Sequence, residues 1–242
     1  MSFYGYGKYV TAEERKNKAM KAVEKLKKKN KDISPIVIEG RSIAKTWWGK
    51  AWNNNLESYS DYSNRIERGR TYVRNGSVLD LKIDKGIVRA LVQGSRAKPY
   101  EVDVRIQRIN DDLWKKIIKS CEGKIESLQE LIDGKFPKAL SELFTAKGSG
   151  LFPSPKEISF DCSCPDWASM CKHVASVLYG IGSRLDDNPE MFFSLRDVNI
   201  EDLISKAIQG KTKAMLSKAD AKSRRILEDG DIAALFGVDT QK

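Results

Sequence analysis

The run Phe160-Asp161-Cys162-Ser163-Cys164-Pro165-Asp166-Trp167-Ala168-Ser169-Met170-Cys171-Lys172-His173 decides how this chain is read. It spells Cys-x-Cys-x6-Cys-x-His. The 242-residue chain has four cysteines and one histidine, and three of those cysteines and the histidine fall within twelve consecutive positions. Three soft thiolates and an imidazole are the donor set of a tetrahedral zinc site, with bonds of about 2.0–2.3 Å. Four protein donors, Cys162, Cys164, Cys171 and His173, leave no corner for water or substrate, which argues for one structural Zn2+ and against a catalytic one.

The flanks agree with that reading. Ile158 and Phe160 alternate with Ser159 and Asp161, the period of a strand running into Cys162. Pro165-Asp166 is a turn signal. After His173, Val174, Val177, Leu178 and Ile181 recur at helical spacing. Two thiolates are therefore expected from a strand or hairpin tip, and the third thiolate and the imidazole from a helix start. The positive end of that helix suits a site that sums to about one negative charge.

On these residues the segment 158–196 resembles the SWIM zinc finger, whose pattern is Cys-x-Cys followed by Cys-x-His. Cys-Pro-Asp-Trp at 164–167 and Cys-Lys-His-Val-Ala-Ser-Val-Leu-Tyr-Gly at 171–180 carry the likeness. Phe3-Tyr4-Gly5, Ile38-Glu39-Gly40-Arg41, Trp47-Trp48-Gly49-Lys50-Ala51-Trp52 and Arg70-Thr71-Tyr72-Val73-Arg74-Asn75-Gly76 are similar to prokaryotic SWIM zinc finger proteins. The resemblance implies zinc binding, with DNA binding or protein interaction as its role. It also implies a possible protein partner of the Swi/Snf type, a DNA-translocating helicase or ATPase, and no enzymatic activity.

Net charge is +10, unevenly spread. Residues 1–50 carry 13 Lys/Arg against 5 Asp/Glu, and residues 151–242 carry 12 against 14. Electrostatic attraction to nucleic acid therefore belongs to the N-terminal part. A basic helix is expected over 11–31, with Thr11 and Glu14 as a capping box. Its Lys21, Lys25, Lys28 and Lys29 are candidate phosphate contacts, against the plainer reading of a solvated face. The polar stretch 59–74 mixes Arg65, Arg68, Arg70 and Arg74 with tyrosines, a combination fit for phosphate or guanine contacts and stacking. The plainer reading there is a loop of solvated arginines.

The remaining pattern predicts an α+β fold: an antiparallel β-meander with helices plus a small ββα finger. A short strand is expected at 33–38, and a helix capped by Thr46 carries Trp48, Trp52 and Leu56 into a core. Period-two alternation marks strands near 78–83, 88–92 and 100–106. One long helix is expected from Asn110 or Asp111 to Ile132, a second at 138–145, and a linker at 148–155. Three regions follow: a basic domain at 1–149, the finger at 150–196 and a helical tail at 197–242. Cys121, on an apolar helical stripe, is read as a buried inert thiol.

No run approaches the length of a membrane span and no apolar signal core opens the chain, so a cytoplasmic protein with reduced cysteines is expected. Gly210-Lys211-Thr212 lacks the earlier glycine and the strand of a phosphate loop. With the one histidine assigned to metal, no Ser-His-Asp or Cys-His nucleophile can be assembled. Nucleic-acid binding, to DNA as the family likeness implies, heads the functional expectation, with an adaptor role second and an unrecognised enzyme last.

Overall fold

The computed structural model describes residues 11–59, 63–166, 168 and 170–219. Alternation of apolar and polar residues builds an antiparallel meander of β1 (Val78–Asp84), β2 (Ile87–Val92) and β3 (Tyr100–Ile106). Val102, Val104 and Ile106 of β3 are buried while Glu101 and Arg105 face solvent. Gly86, at φ +69°, closes the two-residue turn between β1 and β2, where a side chain would be strained. The fourth strand, β4 (Ile158–Cys162), pairs antiparallel with β3, giving the order β1-β2-β3-β4. The strand that ends in Cys162 therefore belongs to the main sheet.

Helices surround this sheet. They are α1 (Ala12–Lys29), α2 (Trp47–Glu57), α3 (Ser63–Arg74), α4 (Asp111–Cys121), α5 (Leu128–Asp133), α6 (Lys138–Thr145), α7 (Lys172–Asp187), α8 (Met191–Leu195) and α9 (Ile200–Ala219). Thr11 and Glu14 form the reciprocal capping box of α1, and the Thr46 hydroxyl accepts from the Gly49 N–H at the start of α2. Helix α7 packs against α2, α3 and the sheet, and is buried along most of its length. Trp48 and Trp52 are fully buried, as their spacing predicts. Their indole N–H groups donate to the carbonyls of Leu131 (2.9 Å) and Leu178 (2.8 Å), so neither is left unpaired in the core.

Four local expectations change. The segment 33–38 runs along the open edge of β1, bonding through Ile36 N–H to Val78 and through the Ser34 carbonyl to Leu81, without becoming a strand. Pro35 has no N–H to continue a ladder. The stretch 63–74 is helix α3, whose inward face is Ile66, Gly69 and Val73. The long helix expected from 110 to 132 is broken into α4 and α5 by Gly123 at φ +68°, and Ser127 caps the new start. The stretch 148–155 is no free linker. Leu151 and Phe152 are buried, Leu151 N–H donates to the Phe144 carbonyl at 2.8 Å, and the Asn55 amide donates to the Pro153 carbonyl at 2.9 Å.

One hydrophobic cluster joins residues from both sides of that stretch, including Trp52, Val104, Ile158 and Val177. Where three regions were expected, the described residues share this core, because β4 and α7 bury their apolar faces against the meander and α2. The expected helical tail opens with α9, which runs from Ile200 to Ala219. The Phe3-Tyr4-Gly5 motif and residues 220–242 of the expected helical tail lie outside the described residues.

Candidate metal centre

The end of β4 and the start of α7 meet at one point and bring the four expected donors together. The Sγ atoms of Cys162, Cys164 and Cys171 and a ring nitrogen of His173 all lie within 4.8 Å of one another. His173 turns Nδ1 toward the sulfurs, 3.9 Å from Cys162 Sγ and 3.7 Å from Cys171 Sγ. Bonds of about 2.0–2.3 Å to a tetrahedral ion place donors about 3.5–3.8 Å apart, so the pocket is already near the size a metal requires. The Cys3His cluster could hold a metal ion.

Each donor has an identifiable support. Cys162 is the last residue of β4, in register with Val102. Just beyond it, Ser163 exchanges two bonds with Glu101, which accepts the Ser163 N–H at 3.0 Å and donates its own N–H to the Ser163 hydroxyl at 2.9 Å. Cys171 is the residue before α7 and has extended backbone, and His173 follows within the first turn. The loop carrying Cys164 is held by Asp166. Its Oδ1 accepts from the Ala168 N–H at 3.3 Å, and its Oδ2 pairs with Arg65 of α3 at 3.4 Å.

Cys162 and Cys171 act on each other's thiols in opposite directions. A hydrogen bond from Cys162 lowers the Cys171 thiol, burial works against this, and His173 and the Val174 N–H reinforce the lowering. The same bond raises Cys162, and burial adds to that rise. Cys121 lies elsewhere, fully buried, its thiol pushed up to about 12 by burial.

His173 itself is packed between rings. Tyr100 lies tilted at a centroid distance of 4.5 Å, and Tyr72 meets it edge-on at 5.5 Å. Nε2 is buried without a hydrogen-bond partner. A Cβ placed on Gly94 would come within 3.0 Å of that nitrogen and 2.4 Å of the Tyr100 ring. Gly94 thus leaves the space the imidazole occupies.

The candidate nucleic-acid contacts fall into two groups. Lys21, Lys25, Lys28 and Lys29 are exposed along α1, and Arg68 and Arg74 are exposed on α3, with Arg74 also donating to the Arg41 carbonyl at 3.1 Å. Arg65 and Arg70 are used within the fold. Arg65 holds Asp166, as above. Arg70 pairs with Glu57 at 2.6 Å and donates to the Tyr179 hydroxyl at 2.7 Å, and that hydroxyl donates to Glu57 at 2.7 Å. Arg70 therefore leaves the set of free contacts: its carboxylate partner on α2 holds the guanidinium against α7. Tyr72, Tyr100 and Gly94 carried no signal as neighbours of the site, since they come from distant segments. Lys172 did carry one, lying between two ligands in sequence.

No protein-family model matches the chain, and no solved structure matches it. The chain is similar to an uncharacterised protein of Mycobacterium tuberculosis, Rv2102, at 34% identity over 180 residues. The match covers 74% of this chain and 65% of that protein, so the chain spans a little under two-thirds of its relative's length. Among the described residues no helix is long and apolar enough to cross a membrane.

Proposed function

We propose that this chain is a SWIM-type zinc protein that binds nucleic acid, DNA in the first place, and that its Zn2+ is structural. Cys162, Cys164, Cys171 and His173 would hold the ion. Bound there, Zn2+ would supply a cross-link between β4 and α7 and carry no reaction step. The observation that carries the nucleic-acid reading is the basic flank of the site. The exposed lysines of α1 and the exposed Arg68 and Arg74 of α3 belong to elements that pack beside the metal centre rather than to a separate tail. Phosphate neutralisation by such side chains makes affinity fall steeply with salt.

The test has two arms. Metal analysis of the purified protein should find one zinc per chain, and Cys164→Ser should lose it. Fluorescence anisotropy with labelled duplex DNA, single-stranded DNA and RNA should show binding that survives near-physiological salt and ranks duplex DNA first. Binding indifferent to probe and abolished by modest salt would reduce the basic flank to nonspecific charge.

A second reading, docking on a helicase or ATPase partner, is favoured by one feature of α9. Ile208, Met215 and Leu216 lie at i, i+7 and i+8 and are exposed, whereas Leu203 and Ala207 of the same helix are buried in the core. A partner complex that withstands nuclease and is lost on Met215→Asp would favour this role for α9.

A further inference from the structure

Three cations from three elements border the candidate metal centre. Arg15 belongs to α1, Arg68 to α3, and Lys172 is the first residue of α7, between the candidate ligands Cys171 and His173. Lys172 Nζ stands 6.0 Å from the centroid of the Tyr72 ring, whose edge meets His173. Arg68 lies one helical turn before Tyr72 on α3, so the two side chains share a face of that helix.

A specific anchor brings α1 to this place. Lys18, one turn after Arg15, donates to the carbonyls of Gly94 (3.0 Å), Ser95 (2.9 Å) and Arg96 (3.2 Å). Gln93 ties the same turn from inside, donating to the carbonyls of Gly94 and Arg96. Gly94 in turn backs onto His173. The basic helix is thus fastened to the turn that borders the imidazole.

The cations differ in how they are compensated. Arg65 and Arg70, also on α3, each have a carboxylate partner. Arg15, Arg68 and Lys172 have none among the described residues. Like charges gathered within a Debye length of about 8–10 Å repel one another, and an anion seated among them removes that cost. A phosphodiester suits the group, because guanidiniums can grip its oxygens in pairs and an ammonium adds a point charge.

We infer that Arg15, Arg68 and Lys172 form a binding site for a phosphate of the DNA backbone, with Tyr72 beside it, at the edge of the metal centre. The inference rests on the nucleic-acid reading above and moves its focus from the outer lysines of α1 to this junction. It also links the two ligands. Lys172 is held between two metal donors, so loading the metal orders one wall of the phosphate site.

The test uses the full-length, zinc-loaded protein and labelled duplex DNA across a salt series. Arg15→Gln, Arg68→Gln, Lys172→Gln and the triple variant are compared with Lys116→Gln, which removes an exposed charge of α4. Zinc content and circular dichroism are checked for each. Arg15 and Arg68 are not neighbours of a ligand in sequence, so those two variants still decide the matter if Lys172→Gln loses metal. Each junction substitution is expected to weaken binding several-fold and to reduce the slope of log K against log salt by about 1, while Lys116→Gln leaves both near wild type. A triple variant with wild-type affinity and slope, or an equal loss in Lys116→Gln, overturns the phosphate site and leaves the nucleic-acid reading standing. Wild-type protein that binds none of duplex DNA, single-stranded DNA or RNA overturns both, and binding to RNA alone overturns the assignment to DNA.

Discussion

Arg196 is buried to 1% exposure, yet it carries a full charge. Its guanidinium reaches Glu157 at 2.7 Å and the Gln107 carbonyl at 2.8 Å. Burial alone would raise the Glu157 carboxyl, but the Ser154 N–H and Arg196 outweigh it and hold the group below its ordinary value. A carboxyl lowered in the folded state contributes stability that is complete above its unfolded pKa of about 4.3 and is lost as pH falls through the folded value. Glu157→Gln should cost about 3 kcal/mol at neutral pH, because it strands a buried cation. Urea unfolding from pH 7 to pH 3 should show the gap to wild type closing below about pH 4.5. A gap that stays constant to pH 3 would sink this account. At the same scale, the clustering of the four candidate donors was legible from spacing alone, whereas the rings around His173 were not. Tyr72 and Tyr100 stand far from residue 173 in sequence, and no local pattern connects them to it.

At the scale of elements, the pairing of α3 with α7 governs how the metal centre is held, since α7 carries His173 and α3 carries Arg65. A Cβ on Gly69 would fall 2.5 Å from the Ala175 Cβ and 2.8 Å from its carbonyl carbon. Glycine in an exposed helix is worse than alanine by about 1 kcal/mol, so Gly69→Ala would be stabilising if the site were open. The contact reverses that sign: overpacking should cost about 1–3 kcal/mol, read as a lower urea midpoint. A more stable variant would mean the helices can part without penalty. The same glycine explains why α3 is illegible as a helix. Its buried stripe of Ile66, Gly69 and Val73 holds only two apolar side chains, and periodicity cannot register the third position. By contrast α2 shows Trp48, Trp52 and Leu56 on one face behind a Thr46 cap, and the meander shows strict alternation. The apolar face from Leu113 to Ile132 is equally visible, but its division into α4 and α5 depends on Gly123 adopting a positive φ.

For the whole molecule, the consequence of β4 joining β3 is cooperative unfolding. Residues 1–149 expressed alone would expose one side of β3 and the faces that α7 covers, and Trp52 would lose the Leu178 carbonyl as acceptor, a bond worth about 1 kcal/mol with a further penalty for a stranded buried donor. That fragment should show no cooperative thermal transition, while the full chain should melt in one. Chelating the metal should lower the temperature of that single transition without splitting it. Calorimetry of the fragment and of the full chain with and without chelator tests both statements, and an independent transition in the fragment would support the division into separate domains.

The features legible before folding are those set by neighbours in the chain. They include the candidate donor quartet, clustered within twelve residues, the caps at Thr11, Thr46 and Asn110, and the alternation that makes strands. What tertiary structure alone decided is which partner each element and charge meets. It gave β4 to β3, buried Leu151 and Phe152 in a stretch rich in breakers, and separated Arg65 and Arg70, neutralised by Asp166 and Glu57, from Arg15, Arg68 and Lys172, which have no carboxylate partner among the described residues. Side-chain identity declares a charge or an apolar surface, but only long-range contacts determine whether that charge is compensated and what that surface is buried against.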